Sequence, residues 1–183
     1  MAAACTAELY PMRISNEDLY ITRINDDLRV SAPRLHFLAG GPLIRLHDGD
    51  AVPFDFQLTL FNGNRDVPFR RVVDRFVLSY DLWNENFKVT RLGGGHRTGL
   101  TANEAERWCL DNLLVSVGGI SPENRLWVRL EIRAQDAPEL AAGGDGDPGI
   151  SLRSLVELFG RPPRNLQHWT LDSLSFRLQD LER

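Results

Sequence analysis

The segment FVLSYDLWNENFKVTRL, residues 76–92, alternates large apolar side chains with small or polar ones, and a polar stretch interrupts it near its middle. In the first half the apolar side chains fall on every second position, which is the period of a β-strand with one buried face. These positions are Phe76, Leu78, Tyr80 and Leu82. A turn at residues 83–86 leads into a second alternation through Phe87, Val89 and Arg91. The segment therefore predicts a β-hairpin that forms one wall of the core.

Two further strands are predicted on either side of this hairpin. In VPFDFQLTLF, residues 52–61, the apolar even-numbered positions share one face, and Asp55, Gln57 and Thr59 point the other way. In LWVRLEIR, residues 126–133, apolar positions again alternate with polar ones. The second face of that strand is expected to meet water because it is mostly charged. It carries Trp127, Arg129, Glu131 and Arg133.

Two short helices are predicted. Residues 101–104, TANE, have the spacing of a capping box, in which a threonine and a glutamate satisfy the first free amides of a helix. This helix is expected to run to about Leu114, with Ala105, Trp108, Cys109 and Leu113 facing inward. Ser151 is expected to begin the second helix, which ends at Phe159 before a glycine and two prolines.

The remaining segments predict shorter elements and one domain. Extended pieces are expected at residues 28–30 and 35–37, an apolar piece at 43–46, and a last strand over 169–181. Residues 1–18 are interpreted as a loose lead-in, and residues 19–183 as a single β-rich domain. The predicted fold is mainly β (α+β), an antiparallel β-sandwich-like sheet with two short helices.

Composition restricts the class of protein. The chain of 183 residues has a formal net charge of −4 and interspersed acidic and basic residues, which argues against a nucleic-acid-binding surface. No apolar run approaches the roughly 18 residues that a transmembrane helix needs, so no transmembrane segment is predicted. Cys5 follows three alanines, as at the end of a lipoprotein signal, but no apolar region precedes it. Cys109 is expected to be a buried, inert thiol.

No catalytic residues, metal ligands or cofactors are predicted from motifs. His47-Asp48-Gly49-Asp50 is interpreted as a solvated turn because no third ligand is apparent. Asp145-Gly146-Asp147 lacks the later ligands of a calcium loop. Residues 93–96, GGGH, occur without a nucleophile elbow and are interpreted as a flexible turn. Asp74, Asp81 and Glu85 are assigned to the polar face and turn of the hairpin. A pocket that combined a histidine, a carboxylate and a nucleophile would favour a hydrolase.

Several tryptophans lie where the pattern does not place them in the core. Trp83, Trp127 and Trp169 occupy turn or polar-face positions. Large aromatic side chains at such positions are either anchors for a binding partner or lids over the open end of a sandwich. Both interpretations remain open from the sequence, with packing the more common one.

The order of these motifs resembles a bacterial domain-of-unknown-function family, number 4390. Residues 49–54 match its G-v-P-l-x-F strand. The hairpin matches its L-x-Y-x-x-L-x-x-x-Y-x-V pattern, with Phe87 where tyrosine is usual. A later basic strand and a tryptophan near the end complete a match over roughly residues 25–178. The resemblance implies a small, β-rich periplasmic or cell-envelope protein without established catalytic residues. It also implies an envelope protein partner such as a membrane sensor kinase.

We therefore expect a non-enzymatic binding or interaction module linked to envelope signalling. The predicted binding surface consists of Trp83, Trp127, Arg129 and Arg133, which would hold a protein partner or an anionic ligand. One alternative is a carrier that encloses an apolar, lipid-like ligand between its sheets. Another is a hydrolase whose site the sequence does not reveal.

Overall fold

The computed structural model describes the backbone of residues 14–16 and all of residues 18–135 and 167–181. The predicted helix at 151–159 and the loop at 143–149 lie outside these residues. The strands are β1 (Ile14–Asn16), β2 (Leu19–Ile24), β3 (Asp27–Ser31), β4 (Val52–Asn62), β5 (Pro68–Asp81), β6 (Asn86–Arg91), β7 (His96–Leu100), β8 (Leu114–Ser116), β9 (Leu126–Ala134) and β10 (His168–Asp172). The helices are α1 (Gly41–His47), α2 (Ala102–Asp111) and a 3₁₀ turn at Leu178–Asp180.

The strands form two antiparallel sheets. Among the described residues, the larger has six strands in the order β10-β9-β4-β5-β6-β7, and the smaller has four in the order β1-β2-β3-β8. Buried apolar side chains of both sheets, of α2 and of the loop before α1 belong to one core. The prediction of a mainly β, α+β fold is confirmed.

Strand β4 lies at the centre of the larger sheet and pairs along its length with β5 and β9. Its even-numbered side chains, from Val52 to Leu60, are fully buried in the core, as the alternation predicts. Asp55, Gln57 and Thr59 lie on the opposite face, yet they are also buried. The alternation therefore assigns the two faces correctly but does not reveal that the polar face of this strand is covered.

The predicted hairpin is confirmed, but its turn begins one residue earlier than predicted. Leu78 pairs with Val89, and Asp81 pairs with Asn86, so residues 82–85 form the turn. Leu82, predicted on the buried face, is in this turn and 57% exposed, because the strand ends one residue before it. After the glycines at 93–95, which were interpreted as a turn, the chain forms β7 alongside β6, and this strand was not predicted. A register shift between Phe87 and Val89 marks a bulge in that pairing.

Helix α2 has the predicted cap. The Thr101 hydroxyl accepts a hydrogen bond from the Glu104 amide, and the Glu104 carboxylate accepts one from the Thr101 amide. The helix ends at Asp111, earlier than expected, because Leu114 already belongs to β8.

Helix α1 was not predicted, because its seven residues are too few for a clear helical period. Pro42 lies in its first turn, where a missing amide costs nothing. Gly40 precedes it with a φ of 60°, and a side chain there would meet Gln167 at 2.7 Å.

Other predicted boundaries are wrong in detail. Residues 14–16 of the assumed lead-in form a strand, and residues 35–37 are a loop rather than an extended strand. The predicted last strand stops at Asp172, so Leu174 is 53% exposed, whereas Phe176 and Leu178 return to the core. In the described part of the chain, no helix combines the length and the apolar character needed to cross a bilayer.

The packing of β4 generates a test of the core. Replacing Leu58, which is fully buried, with alanine is expected to lower the free energy of unfolding by about 2–5 kcal/mol, because it leaves a cavity between the sheets. Urea denaturation followed by circular dichroism measures this loss. Leu174→Ala, at an exposed site, is the control and should change stability by less than about 0.5 kcal/mol. Equal effects of the two changes would contradict the assigned position of β4.

Candidate functional site

Three of the four predicted binding residues lie together, and the fourth lies elsewhere. Trp127, Arg129 and Arg133 project from β9 on the face that carries Asp55, Gln57 and Thr59 of β4. We call this surface the outer face of the larger sheet. Trp83 is in the turn between β5 and β6, and β4 separates that hairpin from β9. The four residues predicted to form one binding surface therefore belong to two separate surfaces.

The aromatic and basic groups of the outer face are already engaged within the chain. Arg129 makes a two-pronged ion pair with Asp172, with Nε–Oδ1 and Nη2–Oδ2 distances of 2.7 and 3.0 Å. The hydrogen bond from this guanidinium to Asp172 raises the pKa of Arg129. The guanidinium of Arg65 lies 5.3 Å from the ring centre of Trp127 and covers it. A ligand binding here would have to compete with these contacts.

Around Arg133, His168 and Glu131, the outer face carries charged and titratable side chains that are partly removed from water. Burial lowers the pKa of Arg133, against the opposing influence of Glu131 and Asp55. Burial also lowers the pKa of His168, with the nearby Arg133 acting in the same direction. Glu131 accepts a hydrogen bond of 2.7 Å from the Gln57 amide. This end of the face is a packed polar network rather than an open site.

Asp55 is the most deeply buried charge of this network. Arg75 donates to both of its carboxylate oxygens, and the Nη2–Oδ2 distance is 2.8 Å. The Gln135 side-chain amide donates a further hydrogen bond of 2.5 Å. Among the described residues, the buried amide oxygens of Gln57 and Gln135 accept no hydrogen bond. The charge of Asp55 is thus compensated by a two-pronged partner, as a buried carboxylate requires.

The β5–β6 turn presents Trp83 to solvent. The Trp83 side chain is 95% exposed and lies next to the exposed Leu82. Asp81 holds the turn: its carboxylate accepts hydrogen bonds from the Trp83 amide at 2.9 Å and the Asn84 amide at 3.1 Å. The Asn84 side chain donates another at 2.8 Å. These hydrogen bonds, led by those from Asn84, lower the pKa of Asp81. Trp83 is therefore displayed on an ordered turn.

A second turn lies beside the first. Val52, which follows this turn, pairs with Leu78, three residues before the end of β5 at Asp81. The ring of His47 stacks on Tyr80 with centres 4.3 Å apart, which holds the end of α1 against β5. We call residues 47–50 and 81–85 together the tip. Its exposed charged residues are Asp48, Asp50, Asp81 and Glu85.

Asp74 does not lie on the polar face of the hairpin, as predicted, but on the face toward the core. It is buried and pairs with Arg91 at 2.6 Å. The alternation itself places Asp74 on the face of Phe76 and Leu78, and the ion pair with Arg91 compensates its charge there. Cys109, predicted to be a buried thiol, is fully buried. Burial raises its pKa well above the ordinary value, so it is a poor nucleophile.

A cleft of about 250 Å³ lies between the loop after β3 and helix α2. His36 and Glu106 line it, together with Ser31, Asn103, Arg107 and Asp111. The Nδ1 atom of His36 is 3.0 Å from Oε2 of Glu106, and the Leu38 amide donates to Oε1 at 2.8 Å. The cleft brings a histidine and a carboxylate together, and Ser31 also lines it but makes no hydrogen bond with His36.

Neither Glu106 nor His36 was predicted as a functional residue. Glu106 lies next to the inward Ala105 on α2, and Leu110, one turn later, is also buried. The apolar residue at position 110 could have indicated that this stripe of the helix faces inward. His36 could not have been paired with Glu106 from spacing, since 70 residues separate them.

The other histidines do not assemble into a site. His47 stacks on Tyr80, His96 is exposed at the start of β7, and His168 lies 3.7 Å from Glu131. Within residues 18–135 and 167–181, no three histidine, cysteine, aspartate or glutamate side chains cluster in a way that could hold a metal ion. Asp145 and Asp147 lie outside the described residues.

The buried Asp55–Arg75 pair generates one prediction. Arg75→Ala would leave a fully buried carboxylate without its cation, and we expect it to lower the free energy of unfolding by about 3–5 kcal/mol. Arg71→Ala is the matched control on the same strand and face, where the side chain is exposed. Chemical denaturation of both variants measures the difference. Similar stabilities would show that Asp55 does not depend on Arg75.

The Asp81 turn generates a prediction about pH. The pKa of Asp81 is lowered in the folded state. The ionised carboxylate therefore stabilises the turn fully at pH values above the ordinary aspartate pKa, and this stabilisation is lost as the pH falls through the lowered pKa. The amide resonances of Trp83 and Asn84 should therefore titrate with a midpoint below 3.8. Nuclear magnetic resonance measures this midpoint, and Asp81→Asn should abolish the titration. A midpoint at or above the ordinary value would show that the turn is not held in this way.

Comparisons of the chain with protein-family models, with curated proteins and with solved structures found no match. The resemblance to family 4390 therefore depends on the order of the sequence motifs alone.

Proposed function

We propose that this chain is a protein-interaction module that binds its partner through the tip, with Trp83 as the anchor. The partner surface would be an apolar pocket, into which Trp83 inserts, surrounded by basic residues. The observation that carries this proposal is the exposure of Trp83, 95%, on a turn held by Asp81. The interaction itself requires no chemistry from the chain.

The exposed tryptophan supports the proposal because tryptophan is the residue most enriched among binding hot spots. A solvated indole contributes little to the stability of the fold, but it buries a large apolar area when it enters a pocket. Leu82 lies beside it and is 57% exposed, so the apolar surface extends beyond one side chain. By contrast, Trp127 is already covered by Arg65.

The order of the turn supports an anchor role. A mobile loop loses conformational entropy when it binds, and this loss reduces affinity. The Asp81 hydrogen bonds to Trp83 and Asn84 fix the turn before binding. Glu85 adopts a φ of 51°, the left-handed conformation that lets a four-residue turn close. The binding conformation is therefore already present in the free chain.

The charge of the tip supports a basic rim on the partner. Asp81 and Glu85 are exposed in the same turn as Trp83. Asp48 is exposed just after His47, whose ring stacks on Tyr80, and Asp50 contacts Arg45 at 3.6 Å. The basic residue of the hairpin nearest the turn, Lys88, lies further along β6. Acidic residues around an apolar anchor favour a partner with complementary positive charge and disfavour an anionic membrane surface.

The resemblance to family 4390 supports an envelope location and a partner such as a membrane sensor kinase. In this proposal the module works in the periplasm or at the cell envelope and takes part in envelope signalling. The outer-face residues Trp127, Arg129 and Arg133 are a second candidate surface, whose arginines would suit an anionic partner surface rather than a basic one.

The experiment begins by placing a photo-crosslinking phenylalanine derivative at position 83 of the full chain in the host cell. We expect an adduct with a protein, which mass spectrometry identifies. The dissociation constant of that purified partner is then measured for the wild type and for Trp83→Ala. Removing the anchor should weaken binding by about 30-fold, the effect of a typical hot spot. Added salt should weaken the wild-type complex because the rim contacts are charged.

Leu174→Ala is the control, because it removes an exposed apolar side chain away from the tip. Three results would overturn the proposal: no protein adduct at position 83, adducts with lipid alone, or equal affinities for the wild type and Trp83→Ala. If the combined change Trp127→Ala and Arg129→Ala abolished binding while Trp83→Ala did not, the outer face would be the binding surface instead.

A further inference from the structure

We propose that the cleft between α2 and the loop after β3 hydrolyses small esters, with His36 as the general base and Glu106 as its positioning residue. This inference concerns residues that play no part in the tip. It replaces the expectation of a chain without enzymatic activity, and it can fail without affecting the proposed interaction.

The hydrogen bonds of Glu106 determine how the imidazole is held. The Glu106 side chain is 7% exposed, and its two oxygens accept from the Leu38 amide and from Nδ1 of His36. An ionised carboxylate can only accept hydrogen bonds, so Nδ1 of His36 must carry the proton. In the neutral ring the lone pair is then on Nε2. No residue in the described part of the chain is bonded to Nε2, so it is available as a base.

The same pair provides the electrostatic requirement of a general base. When Nε2 takes a proton, the imidazole becomes positively charged, and the adjacent Glu106 carboxylate stabilises that charge. The carboxylate itself is held by the Leu38 amide, so it cannot rotate away. A carboxylate, an imidazole and an open nitrogen in this order are the base component of many hydrolases.

A purely structural role explains only part of this arrangement. The hydrogen bond from the Leu38 amide to Glu106 already ties the loop to the helix. The His36 side chain is 57% exposed, and it lines the cleft rather than filling the core. A histidine that served only to neutralise Glu106 would not need an accessible second nitrogen.

The cleft indicates the substrate class. Its volume of about 250 Å³ suits a small molecule, below the usual range for drug-sized ligands. Ala32, Pro33, Leu35 and Leu110 provide apolar lining for an acyl chain. Asn103 and Arg107 line the same cleft and carry N–H donors that can stabilise negative charge on a carbonyl oxygen. A short-chain carboxylic ester matches these features.

The reaction uses water as its second substrate. Nε2 of His36 takes a proton from water as the water oxygen forms a bond to the ester carbonyl carbon. The negative charge moves to the carbonyl oxygen, beside the N–H donors. When the tetrahedral intermediate collapses, the bond from the carbonyl carbon to the alcohol oxygen breaks, and the imidazolium returns its proton to the departing alkoxide. The products are a carboxylic acid and an alcohol. Ser31 makes no hydrogen bond with His36, so water rather than serine is the nucleophile.

The test measures release of 4-nitrophenolate from 4-nitrophenyl acetate and butyrate by the purified full chain. His36→Ala is expected to lower the rate by about 100-fold, within the range for loss of a general base. His96→Ala is the matched control, because His96 is also an exposed histidine but lies on β7. The proposal is overturned if His36→Ala retains the wild-type rate, or if His96→Ala lowers the rate as much.

Glu106→Gln tests the positioning role. Glutamine can still accept from the Leu38 amide, but its NH₂ group would donate to Nδ1 and place the ring proton on Nε2. We expect kcat to fall at unchanged KM, and the ¹⁵N resonances of His36 to change from the Nδ1-protonated to the Nε2-protonated tautomer. A merely structural role would change the tautomer and lower stability, but it would leave kcat unchanged. If the tautomer changes and kcat does not, Glu106 has no part in a reaction at this cleft.

Discussion

The structure depends on a central strand that is buried on both faces. Burial of Val52, Phe54, Phe56, Leu58 and Leu60 on one face of β4 provides the apolar area that stabilises the domain. Burial of Asp55 on the other face destabilises the domain, because a carboxylate loses its hydration there. Arg75 and Gln135 compensate that loss only if β5 and the end of β9 are in register with β4. The ion pair therefore forms in the observed strand alignment, and the same alignment positions the hairpin whose turn carries Trp83.

The two candidate sites differ in their physical basis, since the tip exposes an apolar side chain and the cleft contains a buried carboxylate. At the tip, an apolar side chain remains in water and a short set of hydrogen bonds keeps it presented. In the cleft, the carboxylate of Glu106 is buried and contacts Nδ1 of His36. The first arrangement favours recognition through burial on association, and the second favours proton transfer. Neither site contributes to the other, since the tip lies at the β5–β6 turn of the larger sheet and the cleft lies between α2 and the loop after β3.

Much of the fold could be predicted because period-two alternation is a local property. In the segments 76–92 and 52–61, side chains two residues apart indicate which face is buried. The four residues of the capping box predict the start of α2. Helix α1 is too short to show a period, and β7 follows three glycines that resemble the end of a hairpin. Of the candidate sites, Trp83 was predicted because a tryptophan in a turn is visible in the sequence. The His36–Glu106 pair was not predicted, because only the tertiary structure brings together residues 70 positions apart.

The outer edge at β7 has a consequence for how this protein meets others. Its first residues, His96, Arg97 and Thr98, are exposed and polar, Gly99 has a φ of 73°, and the pairing with β6 contains a bulge. A twisted, charged, interrupted edge is a poor template for an additional strand. On this side, the larger sheet therefore disfavours the edge-to-edge strand pairing between chains that leads to fibrils. For the same reason, this edge disfavours a partner that would extend the sheet at β7 by main-chain pairing, and it favours recognition by side-chain shape and charge.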